Sequence, residues 1–285
     1  MAATRETLTE FFFCGDGEAA RCLFEPNRDR AATHVPGGGR NNPLLSIDWW
    51  PHVATLLDNH DIGPFEFDVI QNGIAVHTRG LIDAKSQPSA DAIGSALRQG
   101  ATLRLYGVSR FEANCASQLQ LLRQVLKREA FVNLYLTPAR SPGLKLHYDL
   151  EDSVVVQVKG EKVWRLHEAS QGPRYPRALA AGPLAVRSEP TQIIHMCAGD
   201  VLIVPSGLAH TVETRETASQ HVTFGVHVAR QADFLGGLLD QFAATEEELR
   251  RPIRSGEQVS REQLAAWASR FEHWLAASVS GGDQR

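Results

Sequence analysis

A histidine and an aspartate separated by one residue, in His147-Tyr148-Asp149, form the first pattern that could bind a metal ion. The pattern follows a loop rich in glycine and proline, residues 141–143, and comes directly before a run of β-branched residues. In an extended segment, residues i and i+2 point to the same face, so both side chains can reach one metal ion. We therefore interpret His147 and Asp149 as a pair of metal ligands.

A third ligand has to come from another part of the chain, and His210 is the candidate. The segment from Ala198 to His210 contains a Gly-Asp turn, an apolar strand and a Pro/Gly turn that brings His210 to the start of a strand. Two histidines and one carboxylate leave coordination positions open for a bidentate co-substrate and dioxygen, which is typical of non-haem iron(II). Zinc sites more often add a third histidine or a cysteine. The pattern predicts an iron(II) site.

The elements that must position these ligands are short strands. Six runs rich in β-branched residues fill the chain between residues 131 and 227: FVNLYLTP, SVVVQV, KVWRL, TQIIHM, DVLIVPSG and HVTFGVHV. Many short strands separated by glycine and proline predict a β-sandwich or barrel. Lys159-Gly160-Glu161, between the second and third runs, fits a hairpin connection.

Helical spacing of apolar residues marks the flanking segments. Residues 46–59 and 118–127 are predicted helices, and Ser46 or Asp48 could cap the first. After residue 229 the spacing predicts further helices, with a capping-box pattern at Ser260 and Gln263. One of them carries an apolar stripe that we expect to be buried against the barrel or a second subunit. The stripe consists of Leu264, Trp267, Phe271 and Trp274.

The composition argues against several classes of function. The formal net charge is −4, so the chain has no general attraction to nucleic acid or to an anionic membrane. The four cysteines form no CxxC pair, which favours reduced thiols. No segment has the apolar length of a membrane span, and the first ten residues lack the core of a signal peptide. These features predict a cytoplasmic protein.

Five motifs in this order resemble the JmjC-domain oxygenases, and most closely the cupin-4 branch that contains the ribosomal oxygenases. The motifs are Asn133–Pro138, His147–Asp149, Gln157–Trp164, Ala198–His210 and Ser219–Phe224. The resemblance extends from about Gly100 to His227. It implies a mainly β fold with flanking helices, the double-stranded β-helix of cupins. It also implies hydroxylation coupled to decarboxylation of 2-oxoglutarate, with iron(II) and O₂.

The resemblance also implies roles for residues outside the metal ligands. The family places the basic residue that binds the far carboxylate of 2-oxoglutarate on the strand after the His-x-Asp pattern, where this sequence has Lys162. Asn133 matches a family position near the co-substrate, and Thr223 and Tyr135 are further co-substrate candidates. Arg140 and Arg165 are the alternative residues that could bind this carboxylate. Three histidines on the strand runs, His195, His221 and His227, are interpreted as structural.

We expect three parts along the chain: an N-terminal α/β part in residues 1–99, a catalytic barrel in residues 100–229 and helices in residues 230–285 that could mediate homodimerisation. By resemblance, the substrate is an amino-acid side chain in a peptide or protein. The family's winged-helix domain is not seen after the barrel, which favours a natural-product precursor peptide as substrate. An oxygenase acting on a free small molecule and a non-catalytic ligand-binding cupin are the alternatives.

Overall fold

The computed structural model describes residues 4–24, 31–76, 80–167 and 189–280. It divides into two compact units, of which the first ends at Val228 and the second begins at Ala229. The helices of the first unit are α1 (Arg5–Phe13), α2 (Gly17–Phe24), α3 (Trp49–Asp58), α4 (Ala90–Arg98) and α5 (Ala113–Leu126). Its strands are β1 (Thr33–Val35), β2 (Phe67–Gln71), β3 (Ile74–Val76), β4 (Thr102–Leu105), β5 (Ala130–Thr137), β6 (Asp152–Lys159), β7 (Glu161–Leu166), β8 (Gln192–Cys197), β9 (Val201–Val204), β10 (His210–Glu213) and β11 (Ser219–Val226).

The strands form two antiparallel sheets. The large sheet has the order β1-β9-β6-β11-β5-β4-β2-β3, and the small sheet has the order β10-β7-β8. The six strand runs predicted from the sequence correspond to β5, β6, β7, β8, β9 and β11. The predicted fold class, a mainly β jelly roll with flanking helices, is confirmed.

The large sheet is covered on both faces, which explains why its strands are almost continuously apolar. On one face, Val154 and Val156 of β6 belong to a core that includes Phe12 of α1 and Trp49 of α3. On the other face, Val155 belongs to a second core that contains residues of the small sheet. The small sheet therefore packs against the face of the large sheet that lies opposite the helices.

Strand β11 runs through the middle of the large sheet, between β5 and β6. Its residues alternate between the two faces: Val222 and Phe224 lie in the core with the helices, whereas His221 and Thr223 face a cavity on the other side. Strand β5 alternates in the same way, with Leu134 in the core and Tyr135 at the cavity. The alternation provides polar groups inside the fold without interrupting the core.

The predicted hairpin at Lys159-Gly160-Glu161 is wrong, because β6 and β7 belong to different sheets. At this corner the chain passes from the large sheet to the small sheet. Gly160 has a φ of +67°, and a Cβ atom added there would lie 1.7 Å from the carbonyl oxygen of Ala218. The local sequence indicated a turn at this point. It could not show whether β6 and β7 pair with each other, because pairing depends on which sheet each strand joins.

The predicted helices in the first unit are present with shifted starts. The helix predicted for residues 46–59 is α3, and the one predicted for 118–127 is α5, which begins at Ala113. Asp48 is the N-cap residue of α3, but its side chain makes no capping hydrogen bond. Instead, the Asp48 carboxylate accepts a hydrogen bond from Gln220 Nε2 at 3.1 Å.

Residues before position 100 contribute β1, β2 and β3 to the large sheet, so they share a sheet with the predicted barrel. The boundary that we expected between residues 99 and 100, like the rest of the three-part division, stays a prediction.

The second unit contains α6 (Gln231–Thr245), α7 (Glu247–Arg250) and α8 (Arg261–Ser280). The predicted capping box is confirmed: the Gln263 amide donates to Ser260 Oγ at 3.2 Å, and the Ser260 amide donates to Gln263 Oε1 at 2.9 Å. Within this unit, the rings of Phe271 and Trp274 lie 5.3 and 5.9 Å from the ring of Phe242 on α6. Leu264 is 54% exposed in the single chain, and burial of the whole stripe stays a prediction. Dimerisation through this unit stays a prediction.

None of the helices described here is both long enough and apolar enough to cross a membrane.

We predict that Gly160→Ala destabilises the protein more than Gly37→Ala does. Both glycines have a positive φ, +67° and +64°, which costs an L-residue about 1–2 kcal/mol. A Cβ at Gly37 would meet nothing within 4 Å, whereas one at Gly160 would overlap the carbonyl group of Ala218. Urea unfolding of both variants measures the difference in the free energy of unfolding. Equal losses would show that the backbone around residue 160 moves to accommodate the Cβ atom without strain.

Candidate metal centre and adjoining cavity

His147 and His210 come together because an isolated antiparallel β-bridge joins the segments that carry them. The amide of His147 donates to the carbonyl of His210 at 3.1 Å, and the amide of His210 donates to the carbonyl of His147 at 2.8 Å. His210 is the first residue of β10, as the sequence predicted. The two imidazole rings lie 4.2 Å apart, measured between centroids. Backbone pairing thus sets the distance between the two histidines.

Asp149 completes a group of three potential ligands. Its two carboxylate oxygens lie 3.9 Å from His147 Nε2 and 3.9 Å from His210 Nε2. The Gly207 amide donates to the Asp149 carbonyl at 2.8 Å, and Ser153 Oγ donates to the carboxylate at 3.2 Å. All three ligand atoms lie within 4.8 Å of one another, a spacing that one metal ion can bridge. Within the described residues, this is the one such cluster of three.

Hydrogen bonds on the far side of each imidazole orient the ligand nitrogens. His147 Nδ1 lies 2.7 Å from the carbonyl oxygen of Lys145, and His210 Nδ1 lies 2.9 Å from that of Leu208. A carbonyl can only accept, so these contacts assign the proton to Nδ1 and leave a lone pair on Nε2. Such outer contacts are the usual way in which proteins fix a metal-binding histidine.

The buried histidine is neutral at physiological pH. His210 is 2% exposed, and burial, together with the adjacent His147, lowers the pKa of His210 to about 4. A metal ion binds the neutral imidazole, so no proton has to leave His210 when the metal binds near pH 7.

A cavity adjoins the three ligands. It lies between the two sheets. Its wall includes His147, Asp149 and His210, and also Lys162 and Trp164 of the small sheet. The predicted metal ligands and the predicted co-substrate lysine therefore line the same cavity.

Lys162 is 1% exposed and lies on β7, which is the second strand after the His-x-Asp pattern rather than the first. Its ammonium contacts neutral groups: Nζ donates to Thr137 Oγ1 at 3.0 Å and lies 3.3 Å from His221 Nδ1. No carboxylate in the described part of the chain forms an ion pair with it. Burial lowers the pKa of Lys162 to about 7. A buried cation without an anion favours an anionic ligand.

His221 belongs to the cavity, although the sequence was interpreted as giving it a structural role. Its ring stacks on Tyr135 with centroids 4.6 Å apart, and burial, with the Lys162 ammonium beside it, holds the pKa of His221 well below its usual range. A neutral His221 can accept the hydrogen bond from Lys162. Alternation along β11 is the signal that could have identified it, because Thr223 is two residues away on the same face.

The remaining co-substrate candidates occupy two spaces. Tyr135 and Thr223 line both this cavity and an open cleft that also reaches Asp149. Asn133 lines the cleft but not the cavity, and its Oδ1 accepts a hydrogen bond from the backbone amide of Gly107 at 3.3 Å. Burial raises the pKa of Tyr135, which keeps its hydroxyl protonated.

The sequence analysis did not identify several other residues that line the cleft. Arg104 donates hydrogen bonds to the Asp68 carboxylate and to the Tyr106 hydroxyl. The cleft is also lined by Glu151 and by Phe131, which is 41% exposed. These side chains come from different strands and loops, so no linear motif joins them.

The other cationic candidates and the other histidines do not line the cavity. Arg140 pairs with Glu216 at the surface, and Arg165 pairs with Glu213. His195 and His227 are exposed. Within the described residues, Lys162 is the one lysine or arginine that lines the cavity.

Residues 108–234, which contain all three potential metal ligands, match the family model of the JmjC domain. This segment of the chain is a JmjC domain. The predicted resemblance to this family is confirmed. The JmjC domain includes β5 to β11 and therefore both sheets of the cavity.

Two named relatives match part of this chain. The bifunctional lysine-specific demethylase and histidyl-hydroxylase NO66 of Drosophila sechellia is 27% identical over 77% of this chain. Human ribosomal oxygenase 1 is 32% identical over 52% of this chain. The matches span 32% and 24% of the length of these two relatives.

Solved structures share the fold of this chain. The Escherichia coli protein ycfD superposes with a TM-score of 0.59 and 16% identity, covering 90% of this chain and 67% of ycfD. The structure of YcfD, a ribosomal oxygenase, in complex with cobalt and 2-oxoglutarate superposes with a TM-score of 0.56 and 15% identity, covering 90% and 66%. At these identities the likeness establishes the fold.

We predict that His147→Ala, Asp149→Ala and His210→Ala each abolish stoichiometric iron(II) binding while the fold is retained. Loss of a group that merely orients a ligand weakens metal binding by about 10–100-fold, and loss of a ligand should exceed this. Anaerobic equilibrium dialysis with metal analysis measures the content, and circular dichroism checks the fold.

His195→Ala is the matched control, because His195 is exposed on β8 and should bind iron like the wild type. Wild-type iron content in His210→Ala would show that the metal site lies elsewhere.

Proposed function

We propose that this protein is an iron(II)- and 2-oxoglutarate-dependent oxygenase that hydroxylates an amino-acid side chain in a peptide or protein. One observation carries the proposal: a group of two histidines and one carboxylate lines the same cavity as a buried lysine that has no anionic partner among the described residues. A ligand that chelates a metal at one end and carries a carboxylate at the other fits both features, and 2-oxoglutarate is such a ligand.

The donor set fits iron(II). Three protein ligands with Nε2 of both histidines turned toward Asp149 leave coordination positions open, as in other two-histidine, one-carboxylate iron sites. When bound, iron(II) supplies the activation of O₂, coupled to oxidative decarboxylation of 2-oxoglutarate. His147, Asp149 and His210 would hold it.

The residues of the cavity bind and orient the co-substrate. Lys162 pairs with the far carboxylate, while Thr137 and His221 hold the ammonium group in place through its other hydrogens. The apolar core between the sheets buries the Lys162 end of the cavity, and exclusion of water there strengthens this ion pair.

The open cleft provides the place for the substrate. It leads to Asp149, and Tyr135 and Thr223 form a wall shared with the co-substrate cavity. The names of the relatives refer to lysine, to histidyl residues and to ribosomes, which supports a protein or peptide substrate. The net charge of −4 gives no support to nucleic acid as a partner. A natural-product precursor peptide, a homodimeric state and a cytoplasmic location remain parts of this hypothesis.

The proposed function is tested by incubating the iron-loaded protein with 2-oxoglutarate, O₂ and candidate peptides. The expected result is succinate formation together with a gain of one oxygen atom on a peptide, detected by mass spectrometry. Oxidation of a free small molecule but of no peptide would favour the first alternative. Metal and 2-oxoglutarate binding without turnover on any candidate would favour a non-catalytic cupin.

We predict that the affinity for 2-oxoglutarate falls as the pH rises above about 7. Without co-substrate the pKa of Lys162 is about 7, so the ammonium form is populated below this pH and lost above it. Only the ammonium form can pair with the far carboxylate, so Kd should rise by about tenfold per pH unit once the pH exceeds this pKa. The nearby titratable groups, His221 and Tyr135, are neutral throughout this range. Titration calorimetry between pH 6 and 9, with zinc in place of iron, measures Kd.

Lys162→Arg is the control for this pH dependence, because a guanidinium keeps its charge to pH 9. This variant should bind 2-oxoglutarate more weakly than the wild type but with a Kd that is independent of pH. A parallel pH dependence in Lys162→Arg would assign the titration to another group. Lys162→Met, which has no charge, should bind zinc normally and lose most of its affinity for 2-oxoglutarate.

A further inference from the structure

The indole N–H of Trp164 is a buried hydrogen-bond donor that has no acceptor in the described part of the chain. The residue lies on β7 two positions after Lys162, so both side chains are on the face of the small sheet that lines the cavity. Its side chain is almost fully buried, and Nε1 has no hydrogen-bond partner. Buried indole N–H groups usually have an acceptor, so this one requires an explanation.

The indole of Trp164 spans the wall between the two ends of the cavity. Its ring centroid lies 5.3 Å from that of His210, at the metal end. It lies 6.1 Å from the ring of His221, which contacts the Lys162 ammonium at the other end. A co-substrate that reaches from the metal ligands to Lys162 therefore passes alongside the indole.

We propose that the Trp164 indole N–H donates a hydrogen bond to a carboxylate oxygen of the bound co-substrate. This inference rests on the proposed function. A dicarboxylate brings more acceptor sites into the cavity than one ammonium group satisfies. A buried ligand acceptor without a donor, and a buried donor without an acceptor, each cost free energy. A hydrogen bond between the two removes both costs. Trp164 is thus a co-substrate-binding residue in addition to Lys162.

Trp49 provides a matched control within the same unit. Its indole Nε1 is also buried and has no hydrogen-bond partner in the described chain, and the side chain is 0% exposed. Trp49 belongs to the core on the helix side of the large sheet and does not line the cavity. Trp49→Phe removes the same kind of donor far from the proposed ligand.

The direct test is the indole N–H spectrum of the zinc-loaded, ¹⁵N-tryptophan-labelled full chain. The chain has five tryptophans, and Trp164→Phe and Trp49→Phe each delete one resonance and thereby assign it. On addition of 2-oxoglutarate, the Trp164 indole proton should move downfield and exchange more slowly with solvent, whereas the Trp49 resonance should stay in place. A Trp164 resonance whose position and exchange rate do not change would overturn the inference.

Affinity measurements on the same variants complete the test. Loss of one hydrogen bond to a charged group should raise the Kd for 2-oxoglutarate by about 10–100-fold in Trp164→Phe and leave it unchanged in Trp49→Phe, with zinc content equal in both. If Lys162→Met weakens binding but Trp164→Phe does not, this inference fails and the proposed function stands. If the wild-type protein does not bind 2-oxoglutarate at all, both fail.

Discussion

The reciprocal backbone hydrogen bonds between His147 and His210 are the interaction on which the metal centre depends. They join the segment before β6 to the first residue of β10, which are far apart in the chain. Because the bonds are made by the backbone, the spacing of the two imidazoles follows from strand pairing and not from side-chain packing. The side chains need only be histidines with an acceptor behind each ring, and the carbonyls of Lys145 and Leu208 provide these acceptors.

Lys162 gives the cavity its electrostatic character. Burying an ammonium group among neutral partners destabilises the fold, and the depressed pKa of Lys162 reflects that cost. A dianionic ligand removes the cost by supplying the missing charge. Since Lys162 belongs to the small sheet, and Thr137 and His221 belong to the large one, such a ligand would also hold the two sheets together. Co-substrate binding should therefore stabilise this unit against unfolding.

The sequence predicted the parts of the site that depend on local spacing. His147 and Asp149 share a face of an extended segment, and His210 follows a turn at the start of a strand, so their types and positions were sufficient to bring them to attention. The six apolar strand runs were recognisable for the same reason. Lys162 was found through family resemblance, but on the second strand after the pattern and not the first.

What the sequence did not predict depends on tertiary pairing. The turn at Gly160 looks like a hairpin locally, and its strands enter different sheets only because each covers a different core. His221 resembles any buried strand histidine until Tyr135 and Lys162 are placed beside it. The sequence cannot show that the Trp164 indole N–H lacks an acceptor, because this depends on the residues that surround it in the folded protein.

Alternation along β11 has a consequence for how this protein can change over evolutionary time. Val222 and Phe224 hold the helices to the sheet, whereas His221 and Thr223, between and beside them, face the cavity. The positions of β11 that stabilise the fold therefore alternate with the positions that line the cavity, and the two sets can be substituted separately. Substitution of the cavity-facing residues can therefore change the lining of the cavity while the core residues keep the architecture unchanged.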